Sequence, residues 1–498
     1  MENLAVIELN ESALKLSIYK TSSGRFKIIE EKSQPFKLAE EIMGEELLRP
    51  KTKNEMLEVL KIYRKMIETY KAKQIIAVAS SFLQLARNYR GFIDEIYNNT
   101  GISFTIIQND DTIKYNYHAT VNSIDNSKGY LININAFKTN FIKYNRRTIL
   151  SSATVDYGHI NLAYDKDGKQ RTFDQMVKLV SDSLKNMDIL GELESESLFV
   201  GNGPAFVAFG RIARKVARYP LDIDNNYQMS KELIDKTCDF IKGIDTAKVS
   251  KIKGIDDMDA ISLMSGSAII KAFADATDAK EITISSASLR EGIVHTNVSL
   301  PAQEKFNDLL ANSIDNYYEF FKDEYSINPH VFSMAVILFK QLKVMHKLPR
   351  YYVKPLRIAS YLYDSGVKIN YTNNSKYGFD TILYSGLTGV THRELLIAAF
   401  TCVCQNLDNF SLGEWVKYKD ILTDEDLDAV RKLGVIVKLA SALNASKKNV
   451  ISDVVCDILG DSIIMKTVVE GDATFEIMEG MKIAPDYKKV FKKSLQII

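Results

Sequence analysis

Ser285-Ser286-Ala287-Ser288-Leu289-Arg290-Glu291-Gly292-Ile293 is the stretch from which the rest of the chain can be read. It follows Ile282-Thr283-Ile284, an apolar β-branched triplet that reads as a buried strand. Just beyond it, near Ser299-Leu300-Pro301, the character of the sequence changes. From Gln303 to about Asn449 the apolar pattern is helical, and Asp461 to Val468 and Asp472 to Glu479 then alternate as strands do. The stretch thus ends a region of mixed strand and helix and precedes a mostly helical one.

Upstream, the strand and helix signals come twice. Leu4-Ala5-Val6-Ile7, Leu14 to Tyr19 and Phe26 to Ile29 read as strands, the third antiparallel to the second. Asn54 to Tyr70 is an amphipathic helix, Gln74 to Ala79 a buried strand, Arg90 to Asn99 a helix, and Phe104 to Ile107 a strand. Tyr130 to Asn135 and Thr139 to Tyr144 then read as a strand pair, Phe173 to Met187 as a helix and Ser197 to Gly201 as a buried strand. Two units of hairpin, helix and strand imply two related α/β lobes facing a cleft. The spacing predicts lobes over 1–125 and 126–300 and a helical domain over 301–498 that ends in a short α+β segment.

A chain of 498 residues is too long for one core and predicts two to four domains. Lys+Arg number 64 and Asp+Glu 63, a net charge of +1, which argues against a dedicated nucleic-acid binder. Cys238, Cys402, Cys404 and Cys456 lack zinc spacing and read as buried reduced thiols. The opening MENLAVIELN has no basic segment ahead of its short apolar run, and no apolar run reaches the ~18 residues of a spanning helix. A cytoplasmic protein with no membrane partner is expected.

With these strands and turns in place, the quoted stretch resembles the Ser-x-x-Gly-Leu-Arg-Glu-Gly-hydrophobic ending of the second lobe in the exopolyphosphatase/guanosine pentaphosphate phosphohydrolase family. The resemblance covers essentially the whole chain. It implies a two-lobed actin-like ATPase (ribonuclease H-like) fold followed by a mostly helical HD-like domain. It also implies a homodimer, Mg²⁺-dependent release of terminal phosphate, and polyphosphate or a phosphorylated nucleotide as ligand.

The family's chemistry is not matched residue for residue. In Ala5-Val6-Ile7-Glu8-Leu9-Asn10-Glu11-Ser12, Glu8 stands where an Asp would help hold Mg²⁺, Asn10 replaces a glycine, and Glu11 puts negative charge where an anion would sit. Val78 to Gln84 resembles the next motif and offers Ser80 as a phosphate-binding candidate, but Gln84 replaces an arginine fork. Thr112 occupies the position of the catalytic glutamate and cannot act as a base near neutral pH; Asp110 and Asp111 are the candidate substitutes. The loop that should read Asp-Ile-Gly-Gly-Gly-Ser-Thr-Glu reads Asn133-Ile134-Asn135-Ala136-Phe137-Lys138-Thr139-Asn140. Three side chains replace the glycines of an anion-binding nest, and Asn133 and Asn140 replace carboxylates. Lys138 and Thr139 are the candidate anion contacts left in it. Phe137 and Lys138 are expected to fill the space where active relatives hold phosphate.

Gly158 and Val200-Gly201-Asn202-Gly203-Pro204 resemble glycine turns of the second lobe, with Gly201 and Gly203 as phosphate-binding candidates and turns as the structural reading. Arg211, Arg214, Lys215 and Arg218 share a helix face, which reads as solvated more readily than as a polyanion track. In the helical domain, His330 and Asp364 match two positions of a vestigial HD site, while Tyr363 and Asn444 replace its other ligands. Thr391 and Glu394 form a capping-box signature. The losses fall on independent parts of the machinery. They predict a catalytically impaired protein that binds or regulates; the alternative is an active Mg²⁺-dependent exopolyphosphatase or guanosine pentaphosphatase.

Overall fold

The structure, a computed structural model, describes residues 1–145, 148–185, 187–192, 197–244, 260–298, 308–321 and 329–498. It divides into two compact units, Met1–Leu309 and Leu310–Ile498. The boundary expected near residue 300 lies outside the described residues.

The first unit holds two sheets. Strands β1 (Glu2–Leu9), β2 (Ala13–Ser22) and β3 (Arg25–Pro35) form an antiparallel meander, and β4 (Ala72–Ser80) and β5 (Phe104–Ile107) add in parallel beside β1, giving the order β3-β2-β1-β4-β5. Helices α1 (Leu38–Glu45), α2 (Pro50–Thr69) and α3 (Tyr89–Thr100) connect them. Helix α2 starts four residues before the predicted Asn54 because Pro50 suits the first helical turn, where its missing N–H has no intrahelical partner to lose. It buries Met56, Leu57, Leu60, Tyr63 and Ile67.

Helix α4 (Asn109–Val121) leads to the second sheet. There β6 (Lys128–Ile134), β7 (Thr139–Asn145) and β8 (Thr148–Val155) form another meander, followed by α5 (Phe173–Leu184), β9 (Phe199–Asn202), α6 (Pro204–Val216), β10 (Gln228–Ser230), α7 (Lys231–Lys242), α8 (Ala260–Ala276) and β11 (Glu281–Ser285). The run β8-β7-β6-β9-β11 repeats the order of the first sheet, with β10 added outside β11. The duplication read from the sequence is present in the strand order itself.

The quoted motif opens α9 (Leu289–Val298). This helix turns back onto the first sheet: Ile293 and Val294 are buried with Leu4, Val6, Val78 and Ile107. The last helix of the expected second lobe therefore packs as part of the first. It lies so close to α4 that a Cβ on Gly292 would sit 1.9 Å from the Tyr115 carbonyl oxygen.

Among its described residues the second unit is mostly helical up to its final sheet. Its main helices are α10 (Leu309–Phe321), α11 (Pro329–Gln341), α12 (Val353–Leu362), α13 (Asn374–Leu383), α14 (His392–Val403) and α15 (Asp424–Ala442). Strands β12 (Ile451–Leu459) and β13 (Ser462–Val469) pair antiparallel, and β14 (Ser494–Ile497) adds in parallel to β13. Residues 472–479, expected as a strand, instead lead into helix α16 (Thr474–Met481). The Asp472 carboxylate accepts hydrogen bonds from the Thr474 N–H and hydroxyl at 2.9 and 2.6 Å and starts the helix, while Ala473, Glu476 and Gly480 are buried at helical spacing. Among the described residues no helix is long and apolar enough to cross a membrane.

Candidate functional site

Between the sheets of the first unit lies an open cleft of about 950 Å³, walled by the β1–β2 turn, the end of β4, the β6–β7 loop, the start of α6 and the residues leading into α9. Residues from most of the motifs read from the first 300 residues line it, but their side chains meet in unexpected ways.

Glu8 ends in an ion pair. Arg290 Nη1 donates to its Oε2 at 2.8 Å and Asn10 Nδ2 to its Oε1 at 2.9 Å. Arg290 also donates to Glu31 at 2.9 Å and to Ser17 Oγ at 2.7 Å, so its guanidinium fills three acceptors on β1, β2 and β3. Burial alone would push the Glu8 carboxyl up; the charges of Arg290 and Lys15 and the Asn10 hydrogen bond outweigh it and hold Glu8 below the usual carboxylate range. The rest of the motif is architectural. The Ser288 N–H donates to Glu291 at 2.6 Å and the Glu291 N–H to Ser288 Oγ at 3.3 Å, a reciprocal cap on α9. Ser288-x-x-Glu291 was the sequence signal that could have revealed this.

Ser80, a phosphate-binding candidate, donates its hydroxyl to Glu11 at 2.6 Å. Burial raises the Glu11 carboxyl above its usual range, and the neighbouring Glu8 charge adds to this.

The β6–β7 loop is a tight reversal. Ile134 pairs with Thr139, and the Asn135 N–H donates to the Lys138 carbonyl at 2.9 Å, so this group of the would-be nest is already bonded. Phe137 stacks on Phe82 of the first lobe with ring centroids 4.3 Å apart, an aromatic clasp across the cleft. Lys138 lines the cleft 3.9 Å from Asp156. Thr139 is fully buried and donates to the Tyr157 carbonyl at 2.8 Å, away from the cleft lining.

Asn133 and Asn140, read from the sequence as standing in for carboxylates, each bond to other asparagines. Asn133 Oδ1 accepts from Asn116 at 3.2 Å and Asn135 at 2.7 Å, and Asn133 Nδ2 donates to Asn202 Oδ1 at 3.0 Å. Asn202 Nδ2 in turn donates to the carbonyls of Ser285 and Ala287 at 3.2 and 2.8 Å. Asn140 exchanges hydrogen bonds with Asn109 at 3.2 and 3.3 Å and accepts from Thr154 at 2.9 Å. A buried amide offers donor and acceptor together, so a chain of them is satisfied without charge. Asn109, Asn116 and Thr154 had no sequence signal of this role.

Thr112 lines the cleft, with its hydroxyl 3.2 Å from the Gln108 carbonyl that accepts it. Asp110 and Asp111 do not line it. The Asp111 carboxylate accepts the Gln108 N–H at 3.0 Å as part of the α4 cap, so the turn read from the sequence is a helix start. Gln84 Oε1 lies 3.4 Å from Gln108 Nε2, outside the lining. Gly201 lies within β9 beside the Phe206 ring with no positive φ, so the turn reading fails for it; Gly203 lines the cleft and takes a φ of 103°, the left-handed region that favours glycine, as the turn reading required.

The basic helix face is solvated only in part: Lys215 and Arg218 are exposed, while Arg211 and Arg214 turn to an acid. Asp224 accepts from Arg211 at 2.7 Å and from Arg214 at 2.6 Å, and Arg214 is buried. Burial would raise the Asp224 carboxyl, and the two guanidinium groups hold it down. Arg218 lies past the end of α6. An acidic loop thirteen residues on from Arg211, invisible to helical periodicity, supplies the partner.

In the second unit, His330 Nε2 lies 2.8 Å from the Ile451 carbonyl oxygen. The Asp364 carboxyl is pushed up by burial, an effect that a Tyr363 hydrogen bond opposes. Asn444 accepts the Asn449 N–H at 3.0 Å. Thr391 and Glu394 form the expected capping box on α14.

Mg²⁺ demands several oxygen ligands in near-octahedral geometry. Both Glu8 oxygens are engaged, Asn133 and Asn140 are neutral, and among the described residues no three His, Cys, Asp or Glu side chains gather as a metal site. The donor set does not fit the cation.

The family model for Ppx/GppA phosphatases matches residues 17–300. A guanosine-5'-triphosphate,3'-diphosphate pyrophosphatase of Pseudoalteromonas atlantica is 20% identical over 404 residues, 78% of this chain and 77% of the relative. A bifunctional 3-dehydroquinate synthase/phosphatase of Fusobacterium nucleatum is 24% identical over 48% of this chain and 37% of its own length. The Aquifex aeolicus member of the Ppx/GppA family superposes with a TM-score of 0.51 at 20% identity, covering 60% of this chain and 97% of that one. An exopolyphosphatase from Cytophaga hutchinsonii gives 0.52 at 15% identity over 60% and 98%. With more than half its length matched by the family model, the chain belongs to the Ppx/GppA phosphatase family.

Proposed function

We propose that this chain is a catalytically impaired Ppx/GppA protein whose interlobe cleft binds a ligand and serves recognition or regulation. The observation that carries this is the neutral asparagine network over Asn116, Asn133, Asn135 and Asn202, where hydrolysis calls for metal-holding carboxylates. Thr112 supplies no base, Glu8 is tied to Arg290, and Phe137 fills the loop that would cradle phosphate. The lobes, 1–125 and 126–300, are read as actin-like on the strength of the repeated sheet order, and 301–498 as an HD-like domain in which His330 and Asp364 serve structure.

The active reading keeps polyphosphate or a phosphorylated nucleotide as substrate. Phosphate release from long-chain polyphosphate and guanosine pentaphosphate, measured with Mg²⁺ and again with Mn²⁺, separates the two. The expected result is no release above background. Turnover on the order of 1 per second or faster overturns the proposal. The homodimer implied by the family is checked by sedimentation of the full chain.

A further inference from the structure

The charges on the cleft wall point to the ligand. Four cations line it, and each faces an acid. Arg290 is held by Glu8 and Glu31, Arg211 by Asp224, Lys138 lies 3.9 Å from Asp156, and Lys15 stands across the β1–β2 pair from Glu8. Among the described residues no cation pairs with Glu11, whose side chain also lines the cleft and takes one side-chain hydrogen bond, from Ser80. The field there opposes a polyanion, since Coulomb repulsion by a partly buried carboxylate is poorly screened.

Two elements that carry apolar side chains are anchored at Glu11 and Ser80. The Glu11 carbonyl accepts the Ala39 N–H at 3.1 Å, which fixes the start of α1 beside it, and Met43 follows one turn along that helix. Ser80 runs directly into the short turn Ser81–Leu85, and the Arg87 N–H donates to the Glu46 carbonyl at 2.8 Å, tying the end of that turn to the end of α1. Met43 and Leu85 therefore line the cleft from two elements anchored at Glu11, and they are 57% and 60% exposed. Ile28 also lines the cleft. Single exposed apolar side chains are ordinary; several lining one cleft beside a carboxylate are a surface shaped for a matching ligand.

We propose that the first lobe's half of the cleft binds an alkylammonium group, with Glu11 as its counter-ion and Met43 and Leu85 against its hydrocarbon stem. An ammonium group brings three donors to acceptors already on the wall, and its stem covers apolar surface that water now touches. A divalent cation would need several more oxygens than this wall gathers. The assignment rests on the reading that the cleft binds rather than hydrolyses, and it inverts the charge preference expected of a phosphate site.

Hexylamine and 1,4-diaminobutane, titrated calorimetrically into the full chain, are the probes. Saturable binding is expected, weakened tenfold or more by Glu11→Gln and abolished by Met43→Lys, which places a cation on the exposed rim. The melting temperature of each unliganded variant shows that it is folded. Absence of saturable amine binding, or equal affinity in Glu11→Gln, overturns the assignment. Phosphate release from tripolyphosphate with Mg²⁺ is followed in the same samples. Turnover together with amine binding overturns only the impaired reading; neither turnover nor amine binding overturns only the amine assignment.

Discussion

Arg290 and Glu8 lie 282 residues apart in sequence and 2.8 Å apart in space. The motif at 285–293 thus reaches back to the first strand and neutralises Glu8, the acid that the sequence offered as a metal candidate. Both side chains are largely buried, 10% and 13% exposed. Removing one partner of a buried pair leaves the other charge uncompensated in a low dielectric, which costs roughly 3–5 kcal/mol. Arg290→Leu should destabilise the first unit by about that amount. Glu8→Gln should cost less, because Glu31 and Ser17 still hold Arg290. Thermal unfolding of the two variants checks the order, and equal losses would count against it.

Gly292→Ala should be as damaging. The added methyl would meet the Tyr115 carbonyl oxygen at 1.9 Å, and main chain yields less readily than a side-chain tip. Helices α4 and α9 would have to separate, uncovering Ile293 and Val294. A loss of more than about 2 kcal/mol or an insoluble product is expected, on the scale of other overpacked cores. A melting temperature within a degree of the parent protein would exclude the close approach.

The duplicated sheets were legible because their strands follow hydrophobic periodicity, which depends on neighbours in sequence. The cleft was legible only as a set of losses. What fills those losses comes from residues far apart in the chain: Asn116 and Asn202 on Asn133, Asp224 on Arg214, Phe82 on Phe137. None of these pairings has a period. The misread strand at 472–479 has a local cause, since the Asp472 side chain starts a helix that alternation of apolar residues does not reveal.

Acid should weaken the second unit through Asp426. This fully buried carboxylate accepts hydrogen bonds from Tyr352 at 2.7 Å, from Arg393 at 2.8 and 3.0 Å and from the Thr423 N–H at 2.9 Å. Burial pushes its carboxyl up, but Arg393 and the other donors win and hold it below the usual range. A carboxyl depressed in the folded state stabilises above its unfolded pKa, about 4, and that stabilisation disappears as pH falls through the lower folded value. Asp426→Asn should therefore unfold more easily at pH 7, and the gap from the parent protein should close as pH drops below about 4. A gap that stays constant down to pH 3 would mean that the charge is not what stabilises.

The asparagine network predicts what happens when a family carboxylate is put back. Asn133 is 1% exposed, accepts two amide donors and donates its own N–H to Asn202. An ionised aspartate at 133 could still accept, but it could not donate, so it would face the Asn202 amide oxygen without a proton between them. No described cation pairs with Asn133 or with its amide partners, and the nearby arginines Arg290 and Arg211 are already engaged by Glu8 and Asp224. Asn133→Asp should therefore destabilise the first unit by several kcal/mol, on the order of 2–5. The pH dependence should run opposite to that of Asp426. Burial without a counter-ion raises a carboxyl's pKa, so the folded state takes up a proton more readily than the unfolded one. The penalty is then absent below the unfolded pKa, about 4, and grows as pH rises towards the raised folded value. Melting curves of Asn133→Asp and the parent protein at pH 4.5, 6 and 7.5 measure this directly. If the network is a neutral lock, the variant's deficit widens with pH and phosphate release from polyphosphate with Mg²⁺ stays at background. A variant as stable as the parent at pH 7.5 that gains Mg²⁺-dependent turnover would show that the site needed only its carboxylate to work.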